Sequence, residues 1–160
     1  MNLETLPLAI ITGGTSGIGL AVARLLQDRF RLALVYKEDS ENASTALDGF
    51  NEETAVAIFR MDISSEQSVE QNFDQITSHF SAPAALLVNC AGISVGPHHF
   101  IQRKTLDPII QMLNTNYLGT VRMCHKVLPA LYATKTGKII NVSSVAAQGG
   151  FAGYVGYAES

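Results

Sequence analysis

Thr12-Gly-Gly-Thr-Ser-Gly-Ile-Gly19 joins an apolar run at residues 8–12 to residues 17–29, where apolar side chains recur at helical spacing. Glycines at such a junction let the chain turn tightly and let backbone N–H groups approach an anion, and the following helix offers its positive N-terminus to the same anion. The spacing is G-x-x-x-G-x-G, which differs from the common G-x-G-x-x-G fingerprint. On local grounds the loop is either a phosphate-binding loop or a tight strand-to-helix connection without a ligand.

Short apolar runs alternate with longer amphipathic segments along the whole chain. We predict strands at residues 8–12, 32–36, 55–59, 85–89 and 138–142, and helices at 17–29, 41–50, 65–80 and 106–133, the last in one or two pieces. Ser65 is the predicted N-cap of the third helix, and a loop is predicted from Ser143 to about Tyr154. Continuous apolar strands separated by helices are typical of a parallel sheet covered on both faces. The fold class is therefore α/β, a doubly wound, Rossmann-like parallel sheet, and residues 1–160 are expected to form one domain.

Composition excludes several classes of protein. The chain of 160 residues is 47% hydrophobic and 16% charged, with a net charge of −3. It has no run of basic residues, which argues against a surface for nucleic acid or an anionic membrane. No apolar stretch has the length of a membrane span, and the N-terminus lacks the features of a secretory signal. Cys90 and Cys124 are predicted to be reduced core thiols, although a disulfide between them stays open. The adjacent His98 and His99 indicate a surface loop and no metal site.

Polar residues follow several predicted strands, where ligands of such sheets bind. Lys37 after the second strand is either a partner for a ribose 2′-phosphate or a solvated lysine. Asp62 after the third strand is either an adenine ligand or a turn aspartate. Asn116 within a predicted helix is unfavourable unless its side chain has a role. Ser144 follows the fifth strand, where it can hold a substrate oxygen or simply form a turn.

Taken together, four motifs in order and spacing resemble the short-chain dehydrogenase/reductase family. These are Thr12-Gly13-x-x-x-Gly17-x-Gly19, Asn89-x-Ala91-Gly92, Asn116-x-x-Gly119, and Ser144 followed by Tyr157. The resemblance extends from Ala9 to Ser160 and implies that residues 1–160 form one dinucleotide-binding domain, the N-terminal part of the family's fold. Any one motif could arise by chance, but four in register identify the family.

The resemblance assigns roles residue by residue. It implies that Ser144 hydrogen-bonds the substrate oxygen, that Tyr157 is the acid or base, and that Asn116 fixes a water in the proton relay. It implies that Asp62 contacts adenine and that the segment from Asn89 packs near the adenosine. The full predicted cofactor site is Gly13, Thr15, Ser16, Gly17, Ile18, Gly19, Tyr36, Lys37, Asp62, Ile63, Asn89, Ala91 and Gly92.

The residues around Val35-Tyr-Lys37 and Leu87–Ile93 look most like the 3-oxoacyl-acyl-carrier-protein reductase and carbonyl reductase branch. This implies hydride transfer between NADP(H) and a carbonyl, such as the ketone of a 3-oxoacyl thioester. NAD is the less favoured coenzyme. An NAD(P)-dependent alcohol dehydrogenase for another small molecule is the alternative. We expect no nucleic-acid or membrane partner, a homo-oligomeric full-length form, and a cytoplasmic location with mitochondria as the alternative.

The end of the sequence carries an expectation of its own. The family pattern is Tyr-x-x-x-Lys, and the matching lysine falls one position past Ser160. In the family this lysine lowers the pKa of the tyrosine and holds the nicotinamide ribose. We therefore expect the chain to be the N-terminal part of a longer enzyme, or else a non-catalytic nucleotide-binding product.

Overall fold

A computed structural model describes residues 5–38, 40–95 and 105–160, with the backbone alone for 40–42. In these residues one sheet has the order β3-β2-β1-β4-β5, and all neighbouring strands are parallel. The strands are β1 Leu8–Thr12, β2 Arg31–Tyr36, β3 Val56–Arg60, β4 Ala84–Asn89 and β5 Lys138–Asn141. The predicted doubly wound, Rossmann-like sheet is thus confirmed, and each predicted strand agrees to within one residue at either end.

The helices differ more from their predicted bounds. They are α1 Gly17–Leu26, α2 Ser40–Thr45 followed by a 3₁₀ turn Ala46–Gly49, α3 Glu66–Phe80, α4 Asp107–Met112 and α5 Thr120–Thr134, with a π-helical segment Leu113–Gly119 joining the last two. The prediction that α1 reaches Arg29 is wrong, because the amides of Arg29 and Phe30 both bond to the carbonyl of Leu26 and form a turn. Ser65 caps α3 as predicted, since its hydroxyl accepts from the amide of Ser68 at 3.2 Å.

Two apolar layers cover the sheet. On one face α3 and α5 pack against the strands through residues such as Phe73, Ile76 and Val127. On the other face α1 packs through Ala23, with Phe50 beside it. Every residue of β1 is buried, which explains why a continuous apolar run predicted this strand well.

The strand order reverses between β1 and β4. From β1 the chain moves outward through β2 to β3, and the helix α3 then returns it to β4 on the other side of β1. Such a switch point leaves a crevice beyond the carboxyl ends of the strands, where ligands of this fold class bind. The glycine loop after β1 and the segment after β4 therefore lie next to each other.

At the other end of the sheet, β5 is the last strand and is mostly exposed. Ile139 packs against the core, while Ile140 is 49% exposed and Val142 is 41% exposed. Beyond the strand, a 3₁₀ turn Val145–Ala147 interrupts the predicted loop.

The structure also bears on the predictions for the two cysteines and for membrane-spanning segments. Cys90 and Cys124 are free thiols and only partly buried, and burial raises the pKa of Cys90. In the described part of the chain, no helix combines the length and apolar character that a bilayer crossing needs.

Candidate active site

The glycine loop has a backbone that few other residues could adopt. Gly13 and Gly17 have φ values of 62° and 51°, in the left-handed region. A Cβ on Gly13 would lie 3.0 Å from the Cα of Ala91, and a Cβ on Gly19 would overlap the carbonyl of Gly13. The loop is therefore folded tightly onto the residue that follows β4.

Helix α1 begins at Gly17 without a side-chain cap and without an acidic residue in its first turn. Its first backbone N–H groups have no partners within the helix, and the helix dipole makes this end positive. A tight glycine turn in front of such a helix end suits a pyrophosphate. The residues present therefore fit the phosphate groups of a dinucleotide.

Thr12 joins the two strands at the switch point. It is fully buried, and its hydroxyl oxygen accepts hydrogen bonds from the amides of Cys90 and Ala91, both at 3.1 Å. These bonds fix the segment after β4 against the start of the glycine loop. Thr12 is the first residue of the glycine motif, but it was not among the predicted site residues. A hydroxyl ending an otherwise apolar buried strand is the signal that could have marked it, since buried polar groups need partners.

A cleft of about 300 Å³ opens beside the loop at the carboxyl ends of β1, β2, β3 and β4. Nine predicted cofactor residues line it: Gly13, Thr15, Ser16, Tyr36, Lys37, Asp62, Ile63, Ala91 and Gly92. Val35, Glu38, Met61, Ile93 and Thr115 also line the cleft and were not predicted. The predicted residues Gly17, Ile18, Gly19 and Asn89 are not among the lining residues, and Ile18 is 63% exposed.

Asp62 lies in a polar turn at the mouth of this cleft. One carboxylate oxygen accepts from the amide of Ser64 at 2.9 Å and from its hydroxyl at 2.6 Å. The other oxygen lies 3.3 Å from the ammonium of Lys37. Asp62 is therefore a turn aspartate that also lines the cleft, and its contact with adenine stays a prediction.

Lys37 is half exposed and lies between two carboxylates, Asp62 at 3.3 Å and Glu38 at 3.4 Å. Burial alone would raise the pKa of Asp62, but the hydrogen bonds from Ser64 and the contact with Lys37 outweigh it, so the pKa is lowered. For Lys37, burial lowers the pKa, while Asp62 and then Glu38 raise it, and the net shift is upward. Both groups are therefore held in their charged forms.

Asn89 lies outside the cleft lining, and its predicted place near the adenosine stays a prediction. Its side chain is 3% exposed, and its amide nitrogen donates to the Asn141 side-chain oxygen at 2.9 Å and to the Cys124 sulfur at 3.6 Å. Among the described residues, its side-chain oxygen has no hydrogen-bond partner. The side chain thus connects β4 to β5.

Asn116 lies in the π-helical segment, where a helix locally changes its hydrogen bonding. Its side-chain oxygen accepts from the amide of Ile93 at 2.8 Å, and its nitrogen donates to the carbonyl of Ile93 at 3.0 Å. The same nitrogen donates to the hydroxyl of Ser160 at 2.9 Å. The unfavourable mid-helix asparagine therefore has a role, which is to connect the helix to the segment after β4.

Tyr157 and Ser144 lie in the C-terminal segment. The hydroxyl of Ser160 donates to the carbonyl of Tyr157 at 3.2 Å, so Ser160 connects Tyr157 to Asn116. The hydroxyl of Ser144 accepts from the amide of Ala146 at 3.2 Å and caps the 3₁₀ turn. Within the described ranges, no hydrogen bond joins Ser144 to Asn116 or Tyr157.

The histidines that raised a metal interpretation, His98 and His99, lie outside the described residues. Among residues 5–38, 40–95 and 105–160, no group of three or more His, Cys, Asp or Glu side chains could hold a metal ion.

Known proteins resemble this chain over nearly its whole length. Acetoacetyl-CoA reductase from Shinella zoogloeoides is 29% identical over 153 residues, which cover 95% of this chain and 61% of that protein. The 3-oxoacyl-[acyl-carrier-protein] reductase from Bos taurus is 31% identical over 151 residues, with 94% and 61% covered. The chain therefore spans about three-fifths of the length of these relatives.

A solved structure agrees in fold. A variant of actinorhodin polyketide ketoreductase, crystallised with NADPH, superposes with a TM-score of 0.90 at 26% identity, covering 99% of this chain and 61% of that one. The family model described as short chain dehydrogenase matches residues 7–160. The chain therefore belongs to the short-chain dehydrogenase/reductase family, a family of oxidoreductases.

Proposed function

We propose that the chain is part of an enzyme that uses NADP(H) to reduce the ketone of a 3-oxoacyl thioester or a related substrate. The observation that carries this proposal is the cleft, where the glycine loop, Lys37 and Asp62 meet at one end of the sheet. The segment after β4 lines the same cleft and is connected to Asn116 through Ile93. A nucleotide bound in the cleft and a ketone held near Asn116 would thus share one edge of the sheet.

The choice of NADP over NAD rests on Lys37. In dinucleotide folds an acidic residue near the end of the second strand binds the free ribose 2′-hydroxyl, and a basic residue accommodates the 2′-phosphate. Lys37 follows β2 directly and lines the cleft. The solved ketoreductase with NADPH supports the same choice.

The dinucleotide, when bound, supplies the hydride that the ketone carbon receives. We assign the other steps to the chain's own residues: the Ser144 hydroxyl donates a hydrogen bond to the ketone oxygen, and the Tyr157 hydroxyl gives that oxygen its proton. The reverse reaction returns the proton to Tyr157. Asn116 holds the segment after β4 in place through Ile93. The acyl thioester as substrate rests on the two relatives that are named for such reductions.

A reduction assay tests this function. Acetoacetyl-CoA and NADPH are incubated with the protein, and NADPH loss is measured together with the 3-hydroxyacyl product. Tyr157→Phe should lower the rate by at least about a hundredfold, because general acid catalysis contributes that much or more. Tyr154→Phe is the matched control, since its ring packs 6.1 Å from that of Tyr157 but has no assigned proton transfer.

Each other outcome points elsewhere. If secondary alcohols are oxidised with NAD while acetoacetyl-CoA is inert, the chain acts as an alcohol dehydrogenase for another substrate. If NADPH binds but no carbonyl is reduced, the protein is a nucleotide-binding product without catalysis. Equal rates for Tyr157→Phe and Tyr154→Phe would contradict the role of Tyr157.

A further inference from the structure

The charges around Lys37 are balanced before any ligand arrives. Its ammonium contacts the carboxylates of Asp62 and Glu38, and its backbone carbonyl accepts from the Arg60 guanidinium at 3.2 Å. Two cations and two carboxylates therefore meet at this rim of the cleft. A ribose 2′-phosphate, which carries up to two negative charges, would enter a region without an excess of positive charge.

The two carboxylates are not equivalent. The side chain of Asp62 is 30% exposed and is fixed by two hydrogen bonds from Ser64, whereas that of Glu38 is 76% exposed. A charge fixed in a partly buried turn acts more strongly on its neighbours than one that moves freely in water. Asp62 is thus the carboxylate that interacts more strongly with Lys37.

We propose that Asp62, through its ion pair with Lys37, limits how strongly this cleft prefers a phosphorylated over an unphosphorylated adenosine ribose. This inference rests on the proposed function, because it takes the cleft to be the adenosine site. While Lys37 is paired with Asp62, a 2′-phosphate has to share the ammonium with a carboxylate. Asp62 therefore acts as a specificity-determining residue that reduces the difference in affinity between the phosphorylated and the unphosphorylated coenzyme.

Two nucleotides that differ only in the 2′-phosphate test this without turnover. The dissociation constants of adenosine 2′,5′-bisphosphate and adenosine 5′-monophosphate are measured by calorimetry, and their ratio defines the preference. Any change in adenine binding affects both ligands and cancels in the ratio. In Asp62→Asn the side-chain oxygen can still accept from Ser64, so the turn is retained while the charge is removed.

We expect Asp62→Asn to raise the preference for the bisphosphate about fivefold, as removal of one screened charge near the phosphate would do. Glu38→Gln is the matched control: it removes the same charge from the same lysine and should raise the preference less. Lys37→Met should abolish most of the preference, and this variant tests the cleft independently of how well Asp62→Asn folds. In Lys37→Met/Asp62→Asn, the effect of the second substitution should shrink.

The possible results distinguish failure of the Asp62 inference from failure of both proposals. An unchanged preference in Asp62→Asn, an equal rise in Glu38→Gln, or an undiminished Asp62 effect without Lys37 would each overturn the inference. An unchanged preference in Lys37→Met would overturn it as well. All of these results leave the proposed ketone reduction standing, because it is measured by NADPH oxidation, but an unchanged preference in Lys37→Met would also remove the argument for NADP over NAD. If neither nucleotide binds, the cleft is not the adenosine site and both proposals fail.

Discussion

The proposed nucleotide side of the site, around the glycine loop, and the proposed substrate side, around β5 and Ser144, are built in different ways. On the nucleotide side, Thr12 is fully buried and Gly13 touches the backbone after β4, so burial and backbone geometry fix the loop. On the substrate side, β5 is mostly exposed, and Ser144 caps a single short turn. The first region is held mainly by buried packing, whereas β5 and the Ser144 turn of the second region lie closer to the surface.

This difference predicts how each region responds to substitution. Packed regions lose stability steeply when one atom is added or one buried polar partner is removed. Exposed polar contacts contribute little because water replaces the lost partner. The same chemical change should therefore cost more stability around the glycine loop than around β5 and Ser144.

Gly19→Ala should have the largest effect. A Cβ there would overlap the carbonyl of Gly13, so the loop must shift, and we expect a loss of about 3 kcal/mol in the free energy of unfolding. Gly150→Ala is the control on the substrate side, since a Cβ at Gly150 meets no atom within 4 Å. Urea denaturation measures both. A similar loss in the two variants would mean that the loop is not more tightly packed than the C-terminal segment.

Much of the nucleotide side could be predicted from the sequence. The buried strand β1 appears as a continuous apolar run, and the glycines after it point to a tight turn, so the position of the cleft followed from local pattern. Lys37 and Asp62 were placed correctly at strand ends. Their contact with each other could not be predicted, because it depends on how β2 and β3 pair.

The substrate side was less predictable because its contacts join residues far apart in the chain. The link from Asn116 through Ser160 to Tyr157 requires the folded path of the C-terminal segment. The π-helical segment around Asn116 also escaped prediction, since the apolar spacing of a long helix does not show where one turn contains an extra residue. For Asn89, the resemblance suggested a place near the adenosine, while the side chain bonds to Asn141.

Thr12→Val and Ser144→Ala compare one type of contact in the two regions. Each substitution removes a hydroxyl that accepts backbone N–H groups, two at Thr12 and one at Ser144. Thr12→Val removes the acceptor of two part-buried amides and should cost about 2 to 3 kcal/mol, whereas Ser144→Ala removes the acceptor of one part-buried amide and should cost about 1 kcal/mol. Thr12→Ser keeps the acceptor and should recover most of the loss. Equal costs for Thr12→Val and Ser144→Ala, measured by urea denaturation, would remove the distinction.

The pH dependence of stability should give the smallest effect, and it concerns the nucleotide side alone. The folded-state pKa of Asp62 is below its ordinary value, so its contribution is complete above that ordinary value and is lost as the pH falls through the folded pKa. The folded-state pKa of Lys37 is above its ordinary value, so its contribution is complete below that value and is lost as the pH rises through the folded pKa. At neutral pH both contributions are present, and both groups are charged.

Because the ion pair is close to the surface, the acid-side loss assigned to Asp62 should be less than about 1 kcal/mol. Unfolding free energies between about pH 6 and about pH 3 should fall less steeply in Asp62→Asn than in the unsubstituted protein. Raising the salt concentration should bring the two curves together, since exposed charges are screened. Parallel curves at low salt would show that Asp62 does not titrate with a lowered pKa, and the cleft would then lack the fixed carboxylate that separates it from the substrate side.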